Sequence, residues 1–145
     1  MPTTQTRTAD YQAIVELLLN YGATIDSGDY GTLRSLFTED AELILPAFGM
    51  VIGSAAIAKL IRKATADRVW QQHFIAVAQV NFSAPGQADA VSNLISHSAI
   101  IAAPNQIIQI GGCYFDRLVK RGGEWQIASK RLETRWTETR EIAQA

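Results

Sequence analysis

From about residue 72 onward the chain changes its apolar period from helical to alternating, and this change bounds the fold more tightly than any other feature. Four strand-like stretches follow one another, over 72–82, 88–102, 106–120 and 124–137. They are separated by Ala84-Pro85-Gly86, Ala103-Pro104-Asn105 and Arg121-Gly122-Gly123, all of them turn chemistry. Before residue 72 the pattern is mainly helical. One helix is predicted over 9–26, with Thr8 as N-cap and Asp10 in the first turn, where a negative charge suits the helix dipole. A short second helix is predicted over 30–37 and a third after Gly53, with Ser54 as N-cap and Ile57, Leu60 and Ile61 as its buried stripe. Between them lie a strand over 41–45, a turn from Pro46 to Gly49 and a short partner strand over 50–52. Helices first and consecutive hairpins after predict an α+β domain, its helices against one face of a curved antiparallel sheet. Residues 1–7 are polar and expected to be loose, and 1–145 reads as a single domain without repeats.

The first helix carries one polar residue out of place. Glu16, Asn20, Thr24 and Ser27 fall in one line at about 100° per residue, which is the expected solvent side. Asp26 falls beside Val15, Leu19 and Gly22 on the apolar side, with Tyr21 at the opposite margin of that face. A carboxylate aimed at a core is costly unless something there needs it. Asp26 either caps a neighbouring turn or meets a partner in the interior.

The hairpins supply candidates for that partner. If Ala84-Pro85-Gly86 is a three-residue turn, His73 lies directly opposite His97, and these are the chain's only histidines. His97 alternates with Ile95, Ala99 and Ile101, and His73 with Ile75 and Val77, so both are expected to look inward, although the strand of His73 is apolar on both sides. In the last strand Arg131 shares its parity with Trp125 and Ile127. One enclosed space could then hold Asp26, His73, His97, Tyr21 and Arg131. A neutral imidazole beside a buried carboxylate is an acid–base pair: the carboxylate sets the tautomer and stabilises the imidazolium once the ring has taken a proton. Each member also has a purely structural role open to it, Arg131 by pairing with Glu133 or Asp116, and Asp116 by binding backbone at a sheet edge. By parity, the pocket lining is expected from Ile44, Phe48, Ile95, Cys113 and Trp125, which suits an apolar ring-sized ligand.

Composition excludes several classes. A hydrophobic share of 48% with 19% charged residues is that of a globular domain, and a net charge of −1 without a basic run lacks the footprint of nucleic-acid binding. The single cysteine, Cys113, leaves no internal disulfide and fits a reducing cytosol, so a cytoplasmic location is expected; Cys113 itself reads as a small buried hydrophobe. No run approaches the ~18 apolar residues of a membrane span, and MPTTQTRTAD has no apolar signal region.

The ordered set of Tyr21 and Asp26 on a helix, Gly28-Asp29-Tyr30, Leu36-Phe37-Thr38-Glu39-Asp40-Ala41-Glu42-Leu43, Gly53 with Ala56-Ile57, His73, Gly112-x-Tyr114-x-Asp116 and Gly123-x-Trp125-x-Ile127 before Arg131 resembles a known family. It is similar to the SnoaL-like group of the nuclear transport factor two-like superfamily, over about residues 8–137. The resemblance implies a cone-shaped α+β barrel, three helices closing a strongly bent sheet around a pocket open at one end. Its closest pattern is that of scytalone dehydratase, bile-acid 7α-dehydratase and hexachlorocyclohexane dehydrochlorinase. By position, Asp26 and His73 match their Asp–His dyad, Tyr21 a substrate-contacting tyrosine, His97 a second histidine and Arg131, most loosely, a strand arginine. What this implies is a lyase or isomerase that works without cofactor or metal on a small hydrophobic ring. His73 would take the proton from carbon, Tyr21 and His97 would hold an oxygen, and Arg131 would support negative charge. The chain lacks an acidic residue at position 97, unlike the pattern of ketosteroid isomerases. Two other classes remain: a metal site of two histidines and a carboxylate, and a non-catalytic ligand-binding or assembly subunit, a role this fold also has in ring-hydroxylating dioxygenases. A last strand with apolar residues from Leu132 to Trp136 suits a homodimer or homotrimer.

Overall fold

The computed structural model describes residues 3–143. Helix α1 (Thr4–Ser27) is followed by α2 (Tyr30–Ser35), strands β1 (Phe37–Leu45) and β2 (Gly49–Ile52), helix α3 (Ser54–Ala64), and four long strands. These are β3 (Arg68–Ala84), β4 (Gln87–Ile100), β5 (Ala103–Arg121) and β6 (Glu124–Glu141). They form one six-stranded sheet in the order β2-β1-β6-β5-β4-β3, in which only the β1–β6 pairing is parallel. The three helices pack on its concave face to give the cone-shaped α+β fold. Among the described residues no helix is long and apolar enough to cross a membrane.

Element ends follow local chemistry more than the predicted bounds. α1 starts at Thr4 and not after Thr8: Thr3 is its N-cap, its hydroxyl oxygen accepting from Thr6 N at 3.2 Å. The expected loose tail is therefore helical from Thr4, while Met1 and Pro2 lie outside the described residues. Gly28, at φ 73°, ends the helix in the left-handed conformation that lets its N–H reach back to Ile25 O. Asp29 then caps α2 by accepting from Thr32 N at 3.1 Å. Gly53, not Ser54, occupies the cap of α3, at φ 98°. β1 begins at Phe37, which the helical period had placed in α2, because Phe37 pairs with Ile127 of the last strand.

The core lies between the helices and the sheet, with Ile14, Leu18, Leu33, Phe37, Leu43, Ile57, Leu118 and Ile127 fully buried. Thr24, expected on the solvent side of α1, is buried, and its hydroxyl donates to Tyr21 O at 3.0 Å. Leu19 is exposed instead. α1 crosses the sheet's edge strand β3 at Gly22. A Cβ there would stand 2.9 Å from both His73 Cβ and Ile75 Cδ1. Gly22→Val is therefore expected to lower stability by about 1–3 kcal/mol through overpacking, with thermal denaturation as the measurement.

Two bulges decide which side chains face the cone. In the β3–β4 hairpin the three-residue-turn register holds from Phe82↔Ala88 to Gln79↔Val91, then slips by one residue before Val77↔Ser92. His73 consequently pairs with Ser96, and His97 with Gln72. A one-residue slip moves every later side chain to the other face, so the expected opposition of the two histidines does not form. The second bulge lies in β6, between the pairs Leu118↔Ile127 and Arg117↔Ser129. Beyond it Lys130, not Arg131, follows Ile127 on the inner face: Lys130 is 1% exposed.

Candidate active site

Asp26 closes the last turn of α1 and lies against the free edge of β3. β3 pairs only with β4, so the backbone N–H of His73 is open to a partner outside the sheet. Asp26 supplies it: Oδ2 accepts from His73 N at 2.8 Å, while Oδ1 stands 2.6 Å from His73 Nδ1. Gln71 ties the same two elements by donating to Ile25 O at 2.9 Å. Capping of backbone and orientation of the imidazole, the two roles open to Asp26 in the sequence, are thus performed by one carboxylate. For a neutral imidazole, an ionised carboxylate at Nδ1 favours the tautomer with hydrogen there and the lone pair on Nε2. The side chains of His73 and Asp26 are largely shielded, at 14% and 25% exposure.

His73 lines a half-open cavity of about 150 Å³ in the cone. Its apolar wall is Ile25, Leu45, Ile61, Leu94, Ile110 and Leu132; its polar groups include Tyr21, Tyr114, Arg68, Ser96 and Ser98. Tyr21 and Tyr114 meet edge to face at 5.5 Å between ring centres. Both phenols ionise far above their ordinary range, chiefly because burial disfavours the phenolate; the nearby Asp116 charge adds to this. They remain neutral hydrogen-bond donors at neutral pH.

Beneath the two rings lies an ion pair that the sequence pattern did not single out. Lys130 Nζ sits 4.4 Å from the Tyr21 ring centre and 4.1 Å from that of Tyr114, and 2.8 Å from Asp116 Oδ1. Burial pushes the Asp116 carboxyl up and the Lys130 ammonium down, and their mutual attraction opposes both shifts. Asp116 had been read as a backbone ligand at a sheet edge, but β5 is an interior strand. An alternation broken by a bulge hides Lys130; an aspartate and a lysine on adjacent strands were the only available signal.

Several expected site residues lie elsewhere. His97 borders the cavity wall, but its ring packs edge-on against the exposed Phe74 at 5.5 Å. Its Nε2 faces the Gln109 amide oxygen at 2.9 Å when that amide is oriented to satisfy its neighbours. Arg131 lies over the Phe115 ring at 4.5 Å and pairs with Glu133, on the sheet's outer side. Ile44 pairs with Arg131 and Met50 while Leu45 takes its place at the cavity. Phe48 is an exposed residue of the β1–β2 turn. Ile95 is half exposed and lines an outer recess along α1, in one cross-strand row with Phe74 and with Trp136, whose indole covers Gly111. Cys113 faces Asn93, its Sγ donating to Oδ1 at 3.5 Å. Trp125 closes the far end of the core, donating to Asp10 Oδ1 at 2.9 Å. Asp10 also accepts from Lys120 at 2.8 Å, and that bond, ahead of the indole's, holds its carboxyl below the usual range. With His97 turned outward, the two histidines and Asp26 do not converge, and among the described residues no three His, Cys, Asp or Glu side chains are grouped as metal ligands.

Residues 6–131 match the SnoaL-like domain family. Among solved structures the chain is similar to a candidate scytalone dehydratase from Novosphingobium aromaticivorans, with 23% identity, a TM-score of 0.86, and coverage of 99% of this chain and 95% of that one. It is similar to a type 2 hexachlorocyclohexane dehydrochlorinase at 19% identity and a TM-score of 0.88, covering 96% and 95% of the two chains. A candidate aromatic ring hydroxylase from Novosphingobium aromaticivorans matches at 19% identity and a TM-score of 0.81, covering 93% and 94%. Among proteins of curated function, none matches the sequence.

Proposed function

Because the chain belongs to the SnoaL-like domain family, we propose that it is a cofactor-independent lyase that eliminates water or hydrogen halide from a small ring compound, with Asp26 and His73 as its acid–base pair. The observation that carries this reading is the two-pronged grip of Asp26 on His73, a residue that also lines a half-open, mostly apolar cavity. In the proposed reaction His73 Nε2 removes a proton from carbon, and the electrons of that C–H bond form a C=C bond as the neighbouring carbon loses hydroxide or halide. Asp26 stabilises the imidazolium so formed. A departing hydroxide takes its proton back from Nε2 and leaves as water, while a halide leaves as the anion. Tyr21 and Tyr114, held neutral by burial, are the donors for an oxygen on the ring that gathers negative charge.

The test is a screen of hydroxylated and halogenated cyclohexane and cyclohexanone derivatives, each with and without a ring carboxylate, with products identified by mass and the wild type run beside His73→Gln. Elimination by the wild type with at least a hundredfold loss in His73→Gln is the expected result. Equal turnover by the two proteins would sink the dyad. Binding without turnover would favour the ligand-binding reading of the fold.

A further inference from the structure

The cavity is electrically unbalanced in a way that the dyad does not use. Its wall contains one guanidinium, Arg68, and no carboxylate. Asp26 lies behind His73 with both oxygens committed to that residue. Arg68 opens β3, and its side chain is only 27% exposed. Among the described residues its one carboxylate neighbour is Asp67, through a single Nε–Oδ1 approach of 3.9 Å to a side chain that is itself mostly in solvent. A guanidinium presents five N–H groups in a planar fork that matches a carboxylate two by two. A lone approach at 3.9 Å uses none of that capacity. The Thr65 hydroxyl beside it is spent on Ile61 O at 2.9 Å.

Dimensions limit what can use the fork. About 150 Å³ accommodates a single six-membered ring. Roughly 16 Å of extended strand separates the backbone of Arg68 from that of His73, a gap that one arginine side chain and one ring bridge together. A cavity with a cation and no wall carboxylate also concentrates anions at its mouth. Resting on the lyase reading above, we infer that the substrate is a one-ring compound bearing a carboxylate, which Arg68 holds while the far side of the ring faces His73. Arg68 is then a specificity residue: it selects the anion and sets which ring carbon meets Nε2.

Benzoate and its neutral analogue benzamide test this without turnover. Each is titrated into the full-length protein and into Arg68→Gln, with binding followed by calorimetry and located by amide chemical shifts. Benzoate is expected to bind wild type at least tenfold more tightly than benzamide, with shifts at Ser96, Ser98 and Ile110. Arg68→Gln should bring benzoate to the level of benzamide and leave benzamide within about twofold. The inference is overturned if benzoate and benzamide bind wild type equally, if Arg68→Gln retains the preference, if the shifts fall outside the cavity, or if benzoate fails to saturate by about 10 mM. Because the readout is binding, these outcomes judge the anion site alone, whereas a screen without turnover judges the lyase reading alone.

Discussion

Asp26→Asn is expected to reduce turnover by about 10²–10⁴-fold while leaving the fold in place. The substitution is close to isosteric. The asparagine carbonyl can still accept from His73 N, the bond that Oδ2 makes at 2.8 Å, so the tie between α1 and the edge of β3 survives. The other prong changes sign. An amide nitrogen turned toward His73 Nδ1 donates where Oδ1 accepted, which favours the tautomer with hydrogen on Nε2 and leaves no lone pair facing the cavity. It also removes the charge that stabilises the imidazolium. Rate constants on whichever ring compound the screen identifies, measured beside a melting curve, separate the two effects. Turnover within threefold of wild type would mean that Asp26 is a backbone cap and nothing more.

The largest stability effect is expected at Lys130. Lys130→Met leaves the Asp116 carboxylate, whose side chain is 0% exposed, without its counterion, and breaking a buried pair from one side costs about 3–5 kcal/mol. For a chain of this size that is a fall in melting temperature of roughly 10–15 °C. Replacing both partners, Lys130→Met with Asp116→Leu, should recover most of the loss, since no orphaned charge remains. The sign of the pH dependence is a second check. Burial already raises the Asp116 carboxyl, and Lys130 opposes that rise. Without the lysine the folded-state value lies further above the unfolded one. The contribution of the protonated carboxyl is then fully present below the unfolded value and is lost as pH rises through the folded one. The single variant should therefore regain stability relative to wild type on acidification, and the double variant should not. A single variant within 1 kcal/mol of wild type at neutral pH would show that water or a neighbouring group solvates Asp116.

Part of the Asp26–His73 contact was legible in the sequence, because it rests on short-range signals. Asp26 is displaced from the polar line of a long helix, and His73 lies near the start of the first long strand, the one that this helix covers. Tyr21 was legible for the same reason, five residues before Asp26 on the inner side of α1. Of the rest of the inward polar cluster, Arg131 failed at a bulge and His97 because the buried face of β4 is the other one. The three-residue-turn register is correct as far as Gln79, and the extra residue beyond it turns His73 inward, whereas His97 keeps the outer face of β4 in an unbroken alternation; parity carried from Trp125 is correct at Ile127 and wrong at Arg131. Pocket-lining expectations at Ile95 and Cys113 failed because the even-numbered residues of β4 and of β5 beyond Gly112 are the buried ones, as Leu94 and Tyr114 show.

By itself, then, the sequence determined the class of fold, the change from helical to alternating period near residue 72, and the aim of Asp26 away from the polar line of its helix. Those follow from apolar period, turn chemistry and one misplaced carboxylate, all of which act over a few residues. Only the tertiary structure decided that Lys130 and not Arg131 enters the core, that His97 turns its ring outward, and that Arg68 lines the cavity. A bulge adds one residue, leaves no compositional trace, and forms where a sheet must bend to close a cone. Its effect reaches every side chain beyond it, because a strand has a period of two and one inserted residue exchanges its faces.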